Sequence, residues 1–319
     1  ACGAPVFARQ LVHPEIGALE DGALLHGLPR PPGRPAALEL HLVRAAFVPD
    51  LGPRLLQPAR EGDEAAARRL LQQLADPNTQ AKDGALATTP LLLASHNGHV
   101  AVARALCEAG ADVDGAAPDA GKRLRDGRTP LLVAAARGHL EVVRCLCDAG
   151  ADRDRPQRDG RSPLHHAAMR GHAEVVQYLC SVGVDLDQPA EDGTTPMLAA
   201  CENGEFRAVK LLCEAGADKD RPQEDGWTPL LVASQRGLLH IAWFLCEAGA
   251  DKDRPLNDGS TPTFLAATHG HIDVVKLFIE MGADVDRPRR DGQTPLQVAQ
   301  ERGHATAARH LRAARARAP

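Results

Sequence analysis

Short apolar segments with helical spacing alternate with polar turns along most of this chain. Between residues 139 and 149, the apolar side chains of Leu140, Val143 and Cys147 recur every three or four residues, which places them on one face of a helix. Gly150 ends this segment, and a polar stretch leads to the next one. The pattern predicts short helices joined by turns.

The same pattern returns at a fixed interval, and each unit begins with a Ser/Thr-Pro pair. The pairs begin at Thr89, Thr129, Ser162, Thr195, Thr228, Thr261 and Thr294. After a first interval of 40 residues, every interval is 33. The hydroxyl can cap a helix whose first turn accepts proline, and a glycine eight residues after the proline ends that helix. An Asp-Gly turn precedes the next pair, so each unit is predicted to be helix–turn–helix with a hairpin-like finger.

These residues resemble the ankyrin repeat. Seven units carry its Thr-Pro-Leu-x-x-Ala frame or a close variant over about residues 80–310, and residues 55–76 resemble a further unit with a degenerate first helix. The resemblance implies an all-α fold: an α-solenoid of about eight stacked repeats over residues 50–319. The chain departs from the pattern in three places. The family's histidine survives only as His165, an insertion near residues 115–125 predicts a longer finger, and residues 238–240 replace the usual Gly-His continuation.

Residues 7–47 do not follow the 33-residue phase. Their order resembles the second half of a ubiquitin-like domain: a strand, a Leu-Glu-Asp-Gly turn at Leu19, and a final strand with alternating leucines from Leu38 to Leu42. The alternative is a proline-rich linker with incidental strands. Residues 1–49 are therefore predicted to be a partial α+β remnant or a linker. Because the chain starts without Met, we expect it to be a fragment of a longer protein.

Composition and charge narrow the classes of partner. The net charge of −5 over 319 residues argues against wholesale nucleic-acid binding. No apolar run approaches the roughly 20 residues of a membrane span. Residues 122–170 hold 11 basic and 6 acidic residues, whereas residues 185–225 hold 4 and 11. This asymmetry could orient a partner of complementary polarity, or the charges could simply be solvated.

Five of the eight cysteines recur at one position of the second helix. They are Cys107, Cys147, Cys180, Cys213 and Cys246, and Ile279 follows in the same phase. Neighbouring helices pack about 8–10 Å apart, whereas a disulfide needs Cα atoms within about 7 Å. The ladder is therefore predicted to be free thiols in the core, which indicates a reducing compartment, cytoplasmic or nuclear.

No metal, cofactor or catalytic site is expected. The histidines that recur once per repeat lie too far apart to share one zinc ion, and the recurring aspartates have turn or cap explanations. No Ser/His/Asp or Cys/His constellation and no phosphate-binding glycine loop stands out from the repeat. The sequence predicts a protein that is not an enzyme.

The resemblance places partner binding at the finger tips and at exposed positions of the first helices, on the concave helix face. The finger positions next to each Asp-Gly are Arg158, Arg161, Glu191, Thr194, Glu224, Trp227, Asn257 and Ser260. The two positions before each helix-ending glycine are Met169, Arg170, Glu202, Asn203, Gln235, Arg236, Thr268 and His269. These residues vary from repeat to repeat, while the Thr-Pro and Gly positions do not. We therefore expect the variable residues not to be needed for the fold. Trp227 is expected either to anchor a partner or to pack on a neighbouring finger.

The sequence thus predicts a scaffold or adaptor that binds other proteins. One alternative is the targeting arm of a larger enzyme or ubiquitin-pathway adaptor whose other domains lie upstream. A third hypothesis, nucleic-acid binding through basic fingers, is the one that the net acidity disfavours most.

Overall fold

The computed structural model describes residues 12–13, 17–18, 48, 50–83, 86–115 and 127–316. The chain divides into two compact units, Ala1–Arg158 and Asp159–Pro319, and each is described by itself. The ubiquitin-like prediction for residues 7–47 lies outside the described residues, apart from two short antiparallel strands, β1 (Val12–His13) and β2 (Gly17–Ala18). It stays a prediction.

The described part of the first unit is built from paired helices. They are α1 (Leu56–Glu61), α2 (Glu64–Gln72), α3 (Pro90–Asn97), α4 (Val100–Glu108), α5 (Pro130–Arg137) and α6 (Leu140–Asp148). A 3-10 turn, Gly52–Leu55, leads into α1, which is shorter than α3 and α5, as its degenerate pattern predicts. Strands β3 (Ala81–Asp83) and β4 (Leu86–Thr88) pair as the finger in front of α3. The predicted longer finger falls largely outside the described residues.

The second unit continues the same alternation with five further helix pairs. They are α7 (Pro163–Met169), α8 (Ala173–Ser181), α9 (Pro196–Asn203), α10 (Phe206–Ala215), α11 (Pro229–Arg236), α12 (Leu239–Glu247), α13 (Pro262–His269), α14 (Ile272–Glu280), α15 (Pro295–Glu301) and α16 (Ala305–Arg315). No helix in the described part of the chain is long and apolar enough to cross a membrane.

Odd-numbered helices are the first helices of their repeats, and even-numbered helices are the second. Within each unit, first helices pack against the next first helix, as α9 does against α7 and α11. Second helices do the same, as α10 does against α8 and α12. Each repeat therefore covers the apolar side of its neighbour in two parallel layers of helices.

The predicted caps explain why the first helices begin and end where they do. In α11 the Thr228 hydroxyl accepts a hydrogen bond from the Leu231 N–H at 3.4 Å, and Gly237 ends the helix with φ of +69°. The core beneath consists of small and branched side chains, such as Ala233 of α11 and Leu245 of α12, both fully buried. Side chains of this size let the helices approach closely, which accounts for the scarcity of aromatic residues.

The cysteine ladder lies partly at the edge of the core. All seven described cysteines are free thiols. Cys147 is buried, but Cys107, Cys180, Cys213 and Cys246 are only half-buried. The prediction of core positions is therefore wrong for these four.

The last helix closes the second unit. Ala307, Ala308 and Leu311 of α16 are buried, whereas Arg309 and Arg312 are exposed. This division between an apolar and a basic face agrees with the prediction of a capping helix.

Candidate functional site

The fingers at residues 190–194, 223–227, 256–260 and 289–293 are tight hairpins held by backbone hydrogen bonds. In one of them, the Gln223 N–H donates to the Trp227 carbonyl at 3.0 Å, and the Gly226 N–H donates to the Gln223 carbonyl at 2.9 Å. The carboxylate of the tip aspartate also belongs to the turn: Asp192 Oδ1 accepts the Thr194 N–H at 2.9 Å. The finger is thus held by its backbone and by the tip aspartate, and the residue before Asp-Gly takes no side-chain part in these bonds.

The residue before each Asp-Gly presents its side chain to solvent. Arg158, Glu191, Glu224 and Asn257 are all exposed. Neighbouring fingers are joined through the backbone at this position, since the Glu191 N–H donates to the Asp159 carbonyl at 2.9 Å. The backbone is therefore used for the fold, while the side chain is left for contacts outside the chain.

The residue after the Asp-Gly pair is not a general surface position. Thr194 and Ser260 are buried, so the expectation that they lie at the binding surface is wrong. Arg161 and Trp227 are half-buried. The physical reason is that the chain turns inward here to reach the buried N-cap of the next first helix. The Ser260 hydroxyl donates to Asp258 Oδ2 at 2.9 Å, which closes the turn from inside.

The two positions that precede the helix-ending glycine differ from each other. The first position is half-buried in Met169, Glu202, Gln235 and Thr268. The second is exposed in Arg170, Asn203, Arg236 and His269. Three of these side chains already make a hydrogen bond within their own helix. Asn203 Nδ2 and His269 Nδ1 donate to the carbonyls four residues earlier, at 2.8 and 3.0 Å. The Thr268 hydroxyl donates to the Phe264 carbonyl at 2.8 Å.

Four charged side chains come together in the second unit, and three of them are predicted site residues. We call Arg161, Asp192, Glu202 and Arg236 the charged cluster. The guanidinium of Arg161 lies 3.7 Å from the Asp192 carboxylate. Burial raises the pKa of Glu202, and the nearby Arg236 opposes that rise. The cluster joins two fingers to the ends of α9 and α11, so it brings together the two groups of positions predicted separately.

The recurring histidines serve the fold, as predicted. His271 Nε2 donates to the Gln235 carbonyl of the preceding repeat at 2.9 Å, and His304 repeats the bond to Thr268 at 3.2 Å. The His271 ring also rests on Gly237, where a Cβ would come within 2.5 Å of Nδ1. No group of three or more His, Cys, Asp or Glu residues in the described ranges could hold a metal ion.

The recurring aspartates form a second structural ladder. Asp220 Oδ1 accepts the Asp251 N–H at 3.0 Å, and Asp253 Oδ1 accepts the Asp284 N–H at 2.7 Å. Each aspartate thus binds the backbone of the following repeat. These carboxylates have structural partners, which agrees with the turn and cap explanation.

Three aromatic side chains on the second helices were not among the predicted site residues. Phe206 and Trp243 are exposed, and Phe206 meets the ring of Phe244 edge-on at 5.9 Å. The sequence feature that could have pointed to this region is the departure from the ankyrin pattern at residues 238–240. Leu238 takes the place of the recurring histidine and lies 3.7 Å from where a Cβ on Gly204 would be. An apolar contact thus replaces the usual hydrogen bond at this junction.

A pair of helices with a capped start, a glycine turn and a finger linked through its backbone recurs along the described chain. This recurrence defines a helical repeat protein. The family model described as "Ankyrin repeats (3 copies)" matches residues 55–152, 115–190, 182–255 and 252–317. The chain therefore belongs to the ankyrin-repeat family, and the prediction of an α-solenoid of ankyrin repeats is confirmed. No curated protein matches the chain.

Proposed function

We propose that this chain is a scaffold that binds partner proteins through its finger tips and the ends of its first helices. Ankyrin repeats are generally modules for protein–protein interaction, which supports the class of function but names no partner. The observation that carries the proposal is that the backbone and the side chains of the fingers have different roles. Backbone hydrogen bonds hold the fingers and join two of them at Glu191, while the side chains at Arg158, Glu191, Glu224 and Asn257 stay exposed and comprise one arginine, two glutamates and one asparagine.

A surface of this kind binds without rearranging. The fingers are fixed by hydrogen bonds that do not involve the exposed side chains, so little conformational entropy is lost at the backbone on binding. The charged cluster adds polarity to the same surface. Its half-buried Glu202 beside exposed Arg236 would match a partner that presents both a basic and an acidic side chain.

The two tryptophans provide a matched test of which surface is used. Trp227 lies on a finger and is half-buried. Trp243 lies on α12, in the layer of second helices, and is 48% exposed. Partners would be captured on the immobilised chain and identified by mass spectrometry. The affinity of the tightest one would then be measured by calorimetry with Trp227→Ala and Trp243→Ala. We expect Trp227→Ala to weaken binding by at least about tenfold and Trp243→Ala to leave it unchanged, because a large aromatic ring at an interface is a frequent hot spot.

The opposite ranking would contradict the proposed surface, since it would place the partner on the second helices. A second pair of variants makes the same comparison with charge. Arg236→Glu alters the charged cluster, whereas Arg207→Glu alters an exposed ion pair with Glu174 on the second helices. We expect only Arg236→Glu to reduce the affinity, and equal losses would refute the assignment.

A further inference from the structure

The outward side of α12 carries aromatic residues next to a carboxylate. Its four members follow the i, i+3, i+4, i+7 spacing of one helix face: His240, Trp243, Phe244 and Glu247. His240 and Glu247 are exposed, Trp243 is 48% exposed, and Phe244 is half-buried. Together with Phe206 of the neighbouring α10, we call these residues the aromatic face.

The place of Trp243 belongs to a long polar side chain in the other second helices. Counted from the glycine that ends each first helix, the equivalent residues of α2, α4, α6, α8, α10, α14 and α16 are Arg68, Arg104, Arg144, Gln177, Lys210, Lys276 and Arg309. Six of these seven are cations, so the repeat pattern places a solvated positive charge where α12 has an indole ring. The tryptophan is therefore not required by the packing of the second helices.

This substitution leaves the carboxylate of Glu247 without a cation in its own helix. In α10 the equivalent pair is complete, since Lys210 Nζ lies 3.8 Å from Glu214 Oε1 four residues later. In α12 the position four residues before Glu247 is Trp243, and Lys252, which follows the helix, is paired with Asp253 at 2.8 Å. Glu247 makes no ion pair with any described residue, so the aromatic face carries a surplus negative charge.

The rings of the aromatic face hold one another in place. The Phe206 ring meets Phe244 edge-on, with centroids 5.9 Å apart, and meets His240 at 6.4 Å. Three large apolar side chains are exposed in the described part of the chain, and two of them, Phe206 and Trp243, lie on this face. The face is thus a preformed apolar surface with one unpaired carboxylate at its edge.

We propose that the aromatic face binds an apolar segment of a partner protein that contains an arginine. The guanidinium would lie over the Trp243 ring and form an ion pair with Glu247, which restores the cation that the other repeats supply themselves. The arginine stem and the neighbouring apolar side chains of the segment would cover Phe206 and Trp243. This surface lies on the second helices, so it is independent of the finger surface proposed above.

The surplus charge favours this occupant over two others. A second copy of the chain, docked by the same face around a two-fold axis, would bring two unpaired Glu247 carboxylates to one interface. A lipid surface would cover the rings but offers no cation that is placed by the geometry of a side chain. A partner segment with an arginine satisfies both the rings and the carboxylate.

The test uses the full chain and two synthetic helical peptides that differ in charge alone. Both are acetylated, carry a fluorescein label, and present leucines and one long polar side chain on a single face, arginine in the first and the uncharged isostere citrulline in the second. Binding is measured by fluorescence anisotropy. We expect the arginine peptide to bind saturably and the citrulline peptide to bind at least about fivefold more weakly.

Equal affinities of the two peptides, or no saturable binding of the arginine peptide below about 1 mM, would overturn the proposal. It would equally be overturned if the arginine peptide failed to bind while sedimentation showed self-association that Trp243→Lys abolishes, because a second copy would then be the occupant. Flotation of the chain with phosphatidylcholine vesicles, again lost in Trp243→Lys and without peptide binding, would identify a lipid surface instead.

Variants assign the two contacts to their residues. Trp243→Lys introduces the residue that α10 and α14 carry at this place, so we expect the urea unfolding curve to be kept and binding of the arginine peptide to be lost. Glu247→Gln should weaken the arginine peptide by at least about fivefold and leave the citrulline peptide unchanged, since only the ion pair is removed. Glu214→Gln is the matched control, because this carboxylate already has Lys210 as its partner. Equal losses for both peptides in Glu247→Gln, or a loss in Glu214→Gln as large as in Glu247→Gln, would refute the assigned ion pair.

Discussion

Two adjacent histidines of α7 lead to opposite predictions about stability. His166 is 7% exposed, and neither ring nitrogen has a hydrogen-bond partner among the described residues. The equivalent positions of other first helices carry apolar residues such as Leu93 and Leu265, both buried. His166→Leu removes the unsatisfied nitrogens and keeps a side chain that the fold already accepts at this place. We expect it to raise the free energy of unfolding by about 1–3 kcal/mol at pH 7.5.

The advantage of the variant should grow as the pH falls. Burial, with a smaller contribution from Arg170, lowers the pKa of His166 to about 4 from its ordinary value of 6.5. The unfolded chain therefore binds more protons than the folded chain between these values, and stability is lost as the pH falls through 6.5 towards 4. Linkage between the two pKa values gives a loss of about 2 kcal/mol between pH 7.5 and pH 5, which His166→Leu abolishes.

The assay is urea unfolding followed by circular dichroism at both pH values. His165→Leu is the matched control, because this neighbour is equally buried but satisfied: Nδ1 accepts from the Ser162 N–H, and Nε2 donates to the Thr194 carbonyl at 2.8 Å. We expect His165→Leu to cost about 1 kcal/mol at pH 7.5. The reasoning would be refuted if His166→Leu were no more stable than the unaltered chain at pH 7.5 and the difference did not widen at pH 5.

Two further predictions concern the repeat itself, and both are measured by urea unfolding. Gly237→Ala should destabilise the chain by about 2–3 kcal/mol, since it combines a positive φ with a clash against His271. Gly249 has a φ of +82° and open space around it, so Gly249→Ala should cost only about 1 kcal/mol. Equal costs would contradict the clash. Thr228→Val should cost about 1 kcal/mol through loss of the helix cap, whereas Thr263→Val, whose buried hydroxyl has no hydrogen-bond partner in the described part of the chain, should be neutral or stabilising.

Much of the exposed finger surface could be predicted from repeat phase alone, and the errors have a common cause. The position before Asp-Gly was correctly placed outside, because a residue at the apex of a tight turn has no neighbour to cover it. The position after the glycine was predicted to be exposed from its variability, yet Thr194 and Ser260 are buried. Variability shows that the backbone does not constrain a side chain, but burial also depends on how closely the next repeat approaches.

The sequence by itself determined the helix pairs, their caps and their stacking, because these depend on signals within one 33-residue period and on its repetition. Thr-Pro, the helix-ending glycine and Asp-Gly act on the backbone nearby, so their spacing is sufficient. Only the tertiary structure decided that Thr194 and Ser260 are buried and that the ring nitrogens of His166 have no hydrogen-bond partner among the described residues. Such features depend on distances of a few ångströms between side chains of different helices, and the spacing along one chain does not contain those distances.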